Sequence, residues 1–129
     1  MTEGLRFFTL GEARLMLKEI LPHLSQMVAL KKILDGKQYD IYRHEYFGGS
    51  GPNGTKSYPQ ELEELIKIVR HFASKNILVK SFDEGLIDFP HVRENGEEVY
   101  LCYKLGEKDI IFWHSIESGF AGRKSTTQL

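Results

Sequence analysis

The stretch Leu86–Ser115, LIDFPHVRENGEEVYLCYKLGEKDIIFWHS, decides the fold. Three runs rich in β-branched and aromatic residues, Leu86–Arg93, Glu98–Leu105 and Asp109–Ser115, are divided by Asn95-Gly96 and by Gly106-Glu107. Asn-Gly between such runs is the strongest short hairpin signal, because both residues tolerate the positive φ that a tight strand reversal needs. The stretch therefore predicts an antiparallel meander. Two-residue loops at both turns assign a register. Val92, Val99 and His114 then share one cross-strand row, Pro90, Leu101 and Phe112 the next, and Asp88, Tyr103 and Ile110 complete that face. His91, Tyr100 and Trp113, then Phe89, Cys102 and Ile111, fall on the other face. Both faces are largely apolar and need cover, from the chain's earlier elements on one side and from a subunit or the tail on the other.

Upstream, Ile77-Leu78-Val79 reads as a further short strand after a helix stop at Asn76. The helix before it runs from about Pro59 to Ser74, with Glu61, Glu63 and Glu64 in its first turns, where the helix dipole favours acids. Leu62, Leu65, Ile66, Val69, Phe72 and Ala73 supply its apolar face. A longer helix opens the chain. Thr9-Leu10-Gly11-Glu12 spells a capping box, and Leu10, Ala13, Leu17, Ile20, Leu24, Met27, Lys31, Leu34, Gln38 and Ile41 follow alternating steps of three and four. That is a coiled-coil-like seam, apolar apart from Lys31 and Gln38. Pro22 should kink or restart the helix, because its ring cannot donate the backbone bond. Tyr39, Tyr42 and Tyr46 form a second stripe, read as packing or a subunit contact rather than as a stacking platform. The two helices are joined by a glycine-rich loop, residues 48–57, and so form an antiparallel hairpin. The second helix covers only the later part of the first.

Length and charge narrow the function classes. The 129 residues suffice for one domain with its own core, and 17 basic against 18 acidic side chains give a net charge of −1. That balance argues against a dedicated nucleic-acid-binding module. The single cysteine, Cys102, excludes an internal disulfide and fits a reducing compartment. No apolar run is long enough to span a bilayer and no leader pattern opens the chain, so the expected location is cytoplasmic.

Four motifs carry candidate chemistry. Gly49-Ser50-Gly51-Pro52-Asn53-Gly54-Thr55-Lys56-Ser57 nearly spells a phosphate-binding loop, but Thr55 separates glycine from lysine and the segment before it is helical. Glycines linking two helices explain it better. His114 and Glu117 are spaced like two metal ligands, provided the chain turns after the strand. In the register above Asp88 lies two rows away, about 14 Å, too far to share one ion with them. A hydrogen-bonded structural histidine is the better reading. Cys102, placed beside Phe89 and Ile111, reads as a small core residue rather than as a nucleophile. Gly119-Phe120-Ala121-Gly122-Arg123-Lys124 offers close backbone approach and positive charge to an anion; equally, it is a tail whose arginine pairs with Asp88 or Glu117.

At these residues the chain resembles a family of small bacterial and archaeal proteins catalogued as a domain of unknown function, the 2203 family. The resemblance rests on Gly85-Leu86-Ile87-Asp88-Phe89-Pro90, on Val99–Glu107, and on Trp113-His114 followed by Ile116-Glu117 and Gly119–Arg123. Phe8-Thr9 with Glu12-Ala13 also fits. Members often have glycine at the position of Asn76, and an acid after the lysine at position 80, where this chain has Ser81. The resemblance implies no activity, substrate or cofactor.

Together these readings predict an α+β domain: a long antiparallel helical hairpin over about residues 9–75, a small antiparallel β-meander over about 77–116, and a tail over 117–129. The function expected first is a binding or assembly module, a homo-oligomer joined through its helices or its second sheet face. Asp88, Trp113, His114, Glu117 and Arg123 form or support its polar site, with a small anion as candidate ligand. No cofactor, nucleic acid or membrane is called for. The alternative is a small metal-assisted hydrolase, with His114 and Glu117 as ligands and Arg123 holding an anionic substrate.

Overall fold

The computed structural model describes residues 6–49 and 59–129. The near-phosphate-loop motif lies, from residue 50 onward, outside the described residues. Helix α1 (Leu10–Gly36) opens on the capping box: Glu12 N donates to Thr9 Oγ1 at 3.0 Å, and Thr9 N to Glu12 Oε1 at 2.9 Å. The helix runs through Pro22 without restarting, at the cost of the bond that the Lys18 carbonyl would otherwise accept. The seam residues Ala13, Leu17, Ile20, Leu24, Met27 and Leu34 are all buried in the core. Lys31 joins them because its stem packs while its Nζ reaches Asp35 at 2.8 Å and Asp83 at 3.0 Å. Burial opposes its charge, but the hydrogen bonds to both acids outweigh burial and raise its pKa.

The helix ends before its sequence pattern does. Gln38 takes φ 60°, Tyr39 N bonds back to Leu34 O at 2.9 Å and Gln38 N to Asp35 O at 2.9 Å, which is a Schellman closure with glutamine in the left-handed position. Asp40 and His44 then accept from the backbone of Tyr42 and Tyr46, each at 3.0 Å, which shapes two 3-10 turns, Ile41–Arg43 and Glu45–Phe47. Ile41 still reaches the core from its turn. The expected tyrosine stripe is thereby dissolved: Tyr42 meets Phe47 and Phe82 edge-on instead.

Helix α2 (Gln60–Ser74) packs antiparallel to α1. Lys37 at the end of α1 pairs with Glu61 at the start of α2 at 2.8 Å, while the rings of His23 and His71 meet at 5.6 Å. Only the later part of α1 is covered in this way. Its first turns reach the meander, where Arg14 donates to Ile110 O at 2.9 and 3.2 Å. Asn76, at φ 61°, closes α2 as its sequence predicts.

The sheet has five antiparallel strands in sequence order: β1 (Leu78–Ser81), β2 (Leu86–Val92), β3 (Glu98–Lys104), β4 (Phe112–Ser115) and β5 (Lys124–Ser125). The last comes from the tail. Pro90 sits inside β2 without costing a ladder bond, because β1 pairs only as far as Asp88, and Phe8 N donates to the Pro90 carbonyl at 2.8 Å. Ile87, Phe89, Val99, Leu101, Tyr103 and Trp113 face the helices and close the core.

The register corrects the expectation. Glu94, Asn95 and Gly96 make a three-residue loop, with Gly96 N donating to Arg93 O and Arg93 N to Glu97 O, each at 2.8 Å, and Gly96 at φ 89°. This type I turn with a glycine bulge places one more residue in the loop than a two-residue turn would. Val92 therefore pairs with Glu98, and Pro90 with Tyr100. The β3–β4 connection is longer too, so Tyr100 pairs with His114 and Leu101 with Trp113. A one-residue slip exchanges faces. Tyr100 and Cys102 join the face of Asp88 and His114, while Val99, Leu101 and Tyr103 leave it for the core side.

Candidate functional site

The outer face of the sheet carries Asp88 from β2, Tyr100 and Cys102 from β3, and Phe112 and His114 from β4. Asp88 and His114 flank β3 one row apart, not two. His114 Nε2 lies 3.2 and 3.1 Å from the Asp88 carboxylate oxygens, and Nδ1 lies 2.7 Å from the Ser115 carbonyl. A carbonyl only accepts, so Nδ1 carries hydrogen and donates to it. One further proton must sit between Nε2 and the carboxylate, on either partner. Asp88 is 0% and His114 3% exposed, so neither group is bonded to bulk water. Burial raises the Asp88 pKa, opposed by the charge and hydrogen bond of His114, the hydrogen bond of Cys102 and the charge of Lys80. Burial, with the Asp88 charge beside it, pushes the Cys102 thiol up to about 12. The thiol is thus protonated at neutral pH and is no ready nucleophile.

The chain after β4 folds back over this face. Ser118 N donates to Ser115 Oγ at 3.2 Å, Gly119 takes φ 65°, and a 3-10 turn, Phe120–Gly122, follows. The turn lays Phe120 over the sheet and leaves a cavity of about 180 Å³ lined by Lys80, Asp88, Tyr100, Cys102, His114 and Phe120, among others. The Lys80 ammonium lies 5.2 Å from the centre of the Tyr100 ring, and among the described residues it has no carboxylate partner. Tyr100 in turn meets the His114 ring edge-on at 5.5 Å.

Arg123 does not meet Asp88 or Glu117. Its guanidinium lies between the rings of Phe112 and Phe120, 4.0 and 4.2 Å from their centres, and forms a two-point pair with Glu107 at 2.9 and 3.1 Å. Glu107 also accepts from Lys104 N at 2.8 Å, so this carboxylate is held on both sides. Burial opposes the Arg123 charge, but Glu107 outweighs it and the pKa is raised. With its charge already matched, Arg123 clamps the tail rather than offering itself to solvent.

Of the five residues singled out from the sequence, Asp88 and His114 are brought together, and Arg123 lies against Phe112 with Nη1 3.9 Å from Cys102 Sγ. Trp113 lies on the opposite, core face, with its Nε1 donating to Ser125 O at 3.1 Å. Glu117 is exposed in the turn after β4. Glu117 is not in the group gathered around His114: among the described residues, the three groups able to share one ion are Asp88, Cys102 and His114, whose ligand atoms lie within 4.8 Å of one another. Lys80, Tyr100, Cys102 and Glu107 were missed as site residues. A signal for Tyr100 and Cys102 was present, since matching the polar Asp88 to the alternate series Tyr100, Cys102 and Lys104, rather than to Val99, Leu101 and Tyr103, selects the observed register.

A family model described as Uncharacterized conserved protein (DUF2203) matches residues 6–126. No curated protein and no solved structure matches the chain. No helix among the described residues is long and apolar enough to cross a membrane.

Proposed function

Starting from a chain that belongs to the DUF2203 family, we propose that it is a binding module whose outer-sheet cavity takes a small carboxylate-bearing molecule. The observation that supports this most is an internal polar floor, Asp88 and His114, opening into a cavity of about 180 Å³ with an unmatched ammonium among its lining groups. Asp88 and His114 share one proton and are neutral as a pair, and Arg123 is neutralised by Glu107. Lys80 is left to set the sign, so the pocket favours an anion. The volume is below the roughly 300–1,000 Å³ usual for drug-sized ligands, so the occupant has only a handful of heavy atoms. The protonated thiol of Cys102 and the ring of Phe120 give the remaining walls an apolar character.

The test is a panel of small mono- and dicarboxylates, including 2-hydroxy acids, followed by thermal unfolding and calorimetry in chelated buffer. At least one should bind saturably and raise the melting temperature as a bound ligand must. Lys80→Met should weaken that binding by about tenfold, the loss of one charge contact. A panel without a saturable binder, or a Lys80→Met protein that binds as well as wild type, would remove the reading.

A further inference from the structure

We propose that the floor of this cavity is a transition-metal site of the zinc class, with the Asp88 carboxylate, Cys102 Sγ and His114 Nε2 as its three protein ligands. The inference rests on the reading of the cavity as a ligand site and names what would sit at its base. It departs from the expectation of no cofactor, which rested on finding no third ligand beside His114 and Glu117; the observed register brings Asp88 and Cys102 to His114 instead.

The geometry is close to what an ion requires. Bonds of about 2.0–2.3 Å set tetrahedral ligand atoms about 3.3–3.8 Å apart. Asp88 and His114 are already at 3.1 Å, and all three ligand atoms lie within 4.8 Å of one another, so closure needs only side-chain adjustment. One carboxylate, one thiolate and one imidazole suit zinc or cobalt rather than magnesium or calcium, which take oxygen ligands. Three strands of one sheet supply the three ligands, a rigid frame for a site.

A second observation is independent of the cluster. The His114 Nδ1–H donates to the Ser115 carbonyl at 2.7 Å, which fixes the tautomer and leaves Nε2 as the ligand atom. Metal-bound histidines are held in this way by a backbone carbonyl or carboxylate behind them. Arg123 Nη1 stands 3.9 Å from Cys102 Sγ and favours the thiolate, while its own charge is matched by Glu107. The fourth position faces the cavity, as in sites that keep one place open for an exogenous ligand.

Metal entry is balanced by the release of two protons, one from the thiol and one from between Asp88 and His114. The ion and the two anionic ligands then sum to zero charge, and no oxidant or reductant takes part. Metal binding of this kind releases protons as a rule.

Cobalt(II) titrated into the full chain, freed of metal and kept reduced, reads the site directly. One equivalent should produce a thiolate-to-cobalt charge-transfer absorption with tetrahedral visible bands, and zinc should bleach both. Cys102→Ser, a near-isosteric change, should abolish the charge-transfer band while circular dichroism shows the fold retained, and His114→Gln should weaken binding about tenfold or more. A flat titration, or a spectrum unchanged in Cys102→Ser, overturns the metal site. Carboxylate binding measured in chelator separates the two claims. If it persists without any cobalt spectrum, the metal site falls and the pocket stands; a cobalt spectrum with no carboxylate response upholds the metal site and removes the carboxylate reading.

Discussion

Replacing Arg123 by alanine should cost about 3–5 kcal/mol of folding stability. The side chains of Arg123 and Glu107 are only 13% and 18% exposed and meet through two N–H···O contacts. Breaking a fully buried pair from one side costs about 3–5 kcal/mol, because the remaining charge is stranded. Here residual exposure and the surviving Lys104 N–H bond to Glu107 reduce that to about 2–3 kcal/mol. The guanidinium also sits 4.0 and 4.2 Å from two ring centres, and the loss of these contacts adds about 0.5–1 kcal/mol each. For a domain of this size the total corresponds to a melting temperature lowered by roughly 10–20 °C. Urea unfolding followed by circular dichroism at neutral pH would measure it. The partner is tested by a double-mutant cycle: Arg123→Ala and Glu107→Ala should couple by about 1 kcal/mol or more, within the range for residues in contact. Arg123→Ala within about 0.5 kcal/mol of wild type, the scatter of ordinary surface substitutions, would refute the reasoning. Strong coupling to Glu117 with none to Glu107 would do the same.

Cys102, buried and pushed up to about 12, should react with iodoacetamide at neutral pH far more slowly than a free thiol, and at the ordinary rate once urea unfolds the chain; fast native labelling would contradict its placement. Gly85 stands at φ 64° with an added Cβ falling 2.7 Å from the Leu105 Cβ, so Gly85→Ala should destabilise by about 2–4 kcal/mol in denaturant titration, whereas the equally left-handed but open Gly96 should tolerate alanine at about 1–2 kcal/mol. Equal losses at the two glycines would show that the Gly85 contact is absent. Thr9→Ala removes one arm of the capping box and should cost about 1 kcal/mol, while Thr9→Ser should restore most of it.

The elements were legible in the sequence because their signals are local. The capping box at Thr9, the Asn76 stop and the Asn95-Gly96 turn each depend on residues within a few positions of one another, and each occurs where the sequence places it. The α+β order followed from them. What was not legible was the number of loop residues in two turns, Asn95-Gly96 and Gly106-Glu107. Asn-Gly serves a two-residue loop and the end of a three-residue loop alike, and the choice between them reverses every side chain on the partner strand. The longer β2–β3 turn moved Cys102 onto the face of Asp88, and the longer β3–β4 connection parted it from Trp113 and, together with the first, brought His114 one row closer to Asp88. The end of α1 was misjudged for a related reason. Ile41 continues the apolar spacing and is buried, but it reaches the core from a separate 3-10 turn after the backbone has closed at Gln38. Periodicity records which residues are buried, not which element carries them. The pairing of Arg123 with Glu107 spans 16 positions and two turns, and nothing local in the sequence selects Glu107 over Asp88 or Glu117.

Everything proposed for the cavity depends on the strand register, which backbone nuclear Overhauser effects read directly. In the labelled protein, the account predicts close backbone contacts linking Pro90 to Tyr100 and Tyr100 to His114, with Val92 opposite Glu98. Contacts pairing Val92 with Val99 and Val99 with His114 would instead return Cys102 to the face opposite Asp88, and with it dissolve both the cavity floor and the metal site.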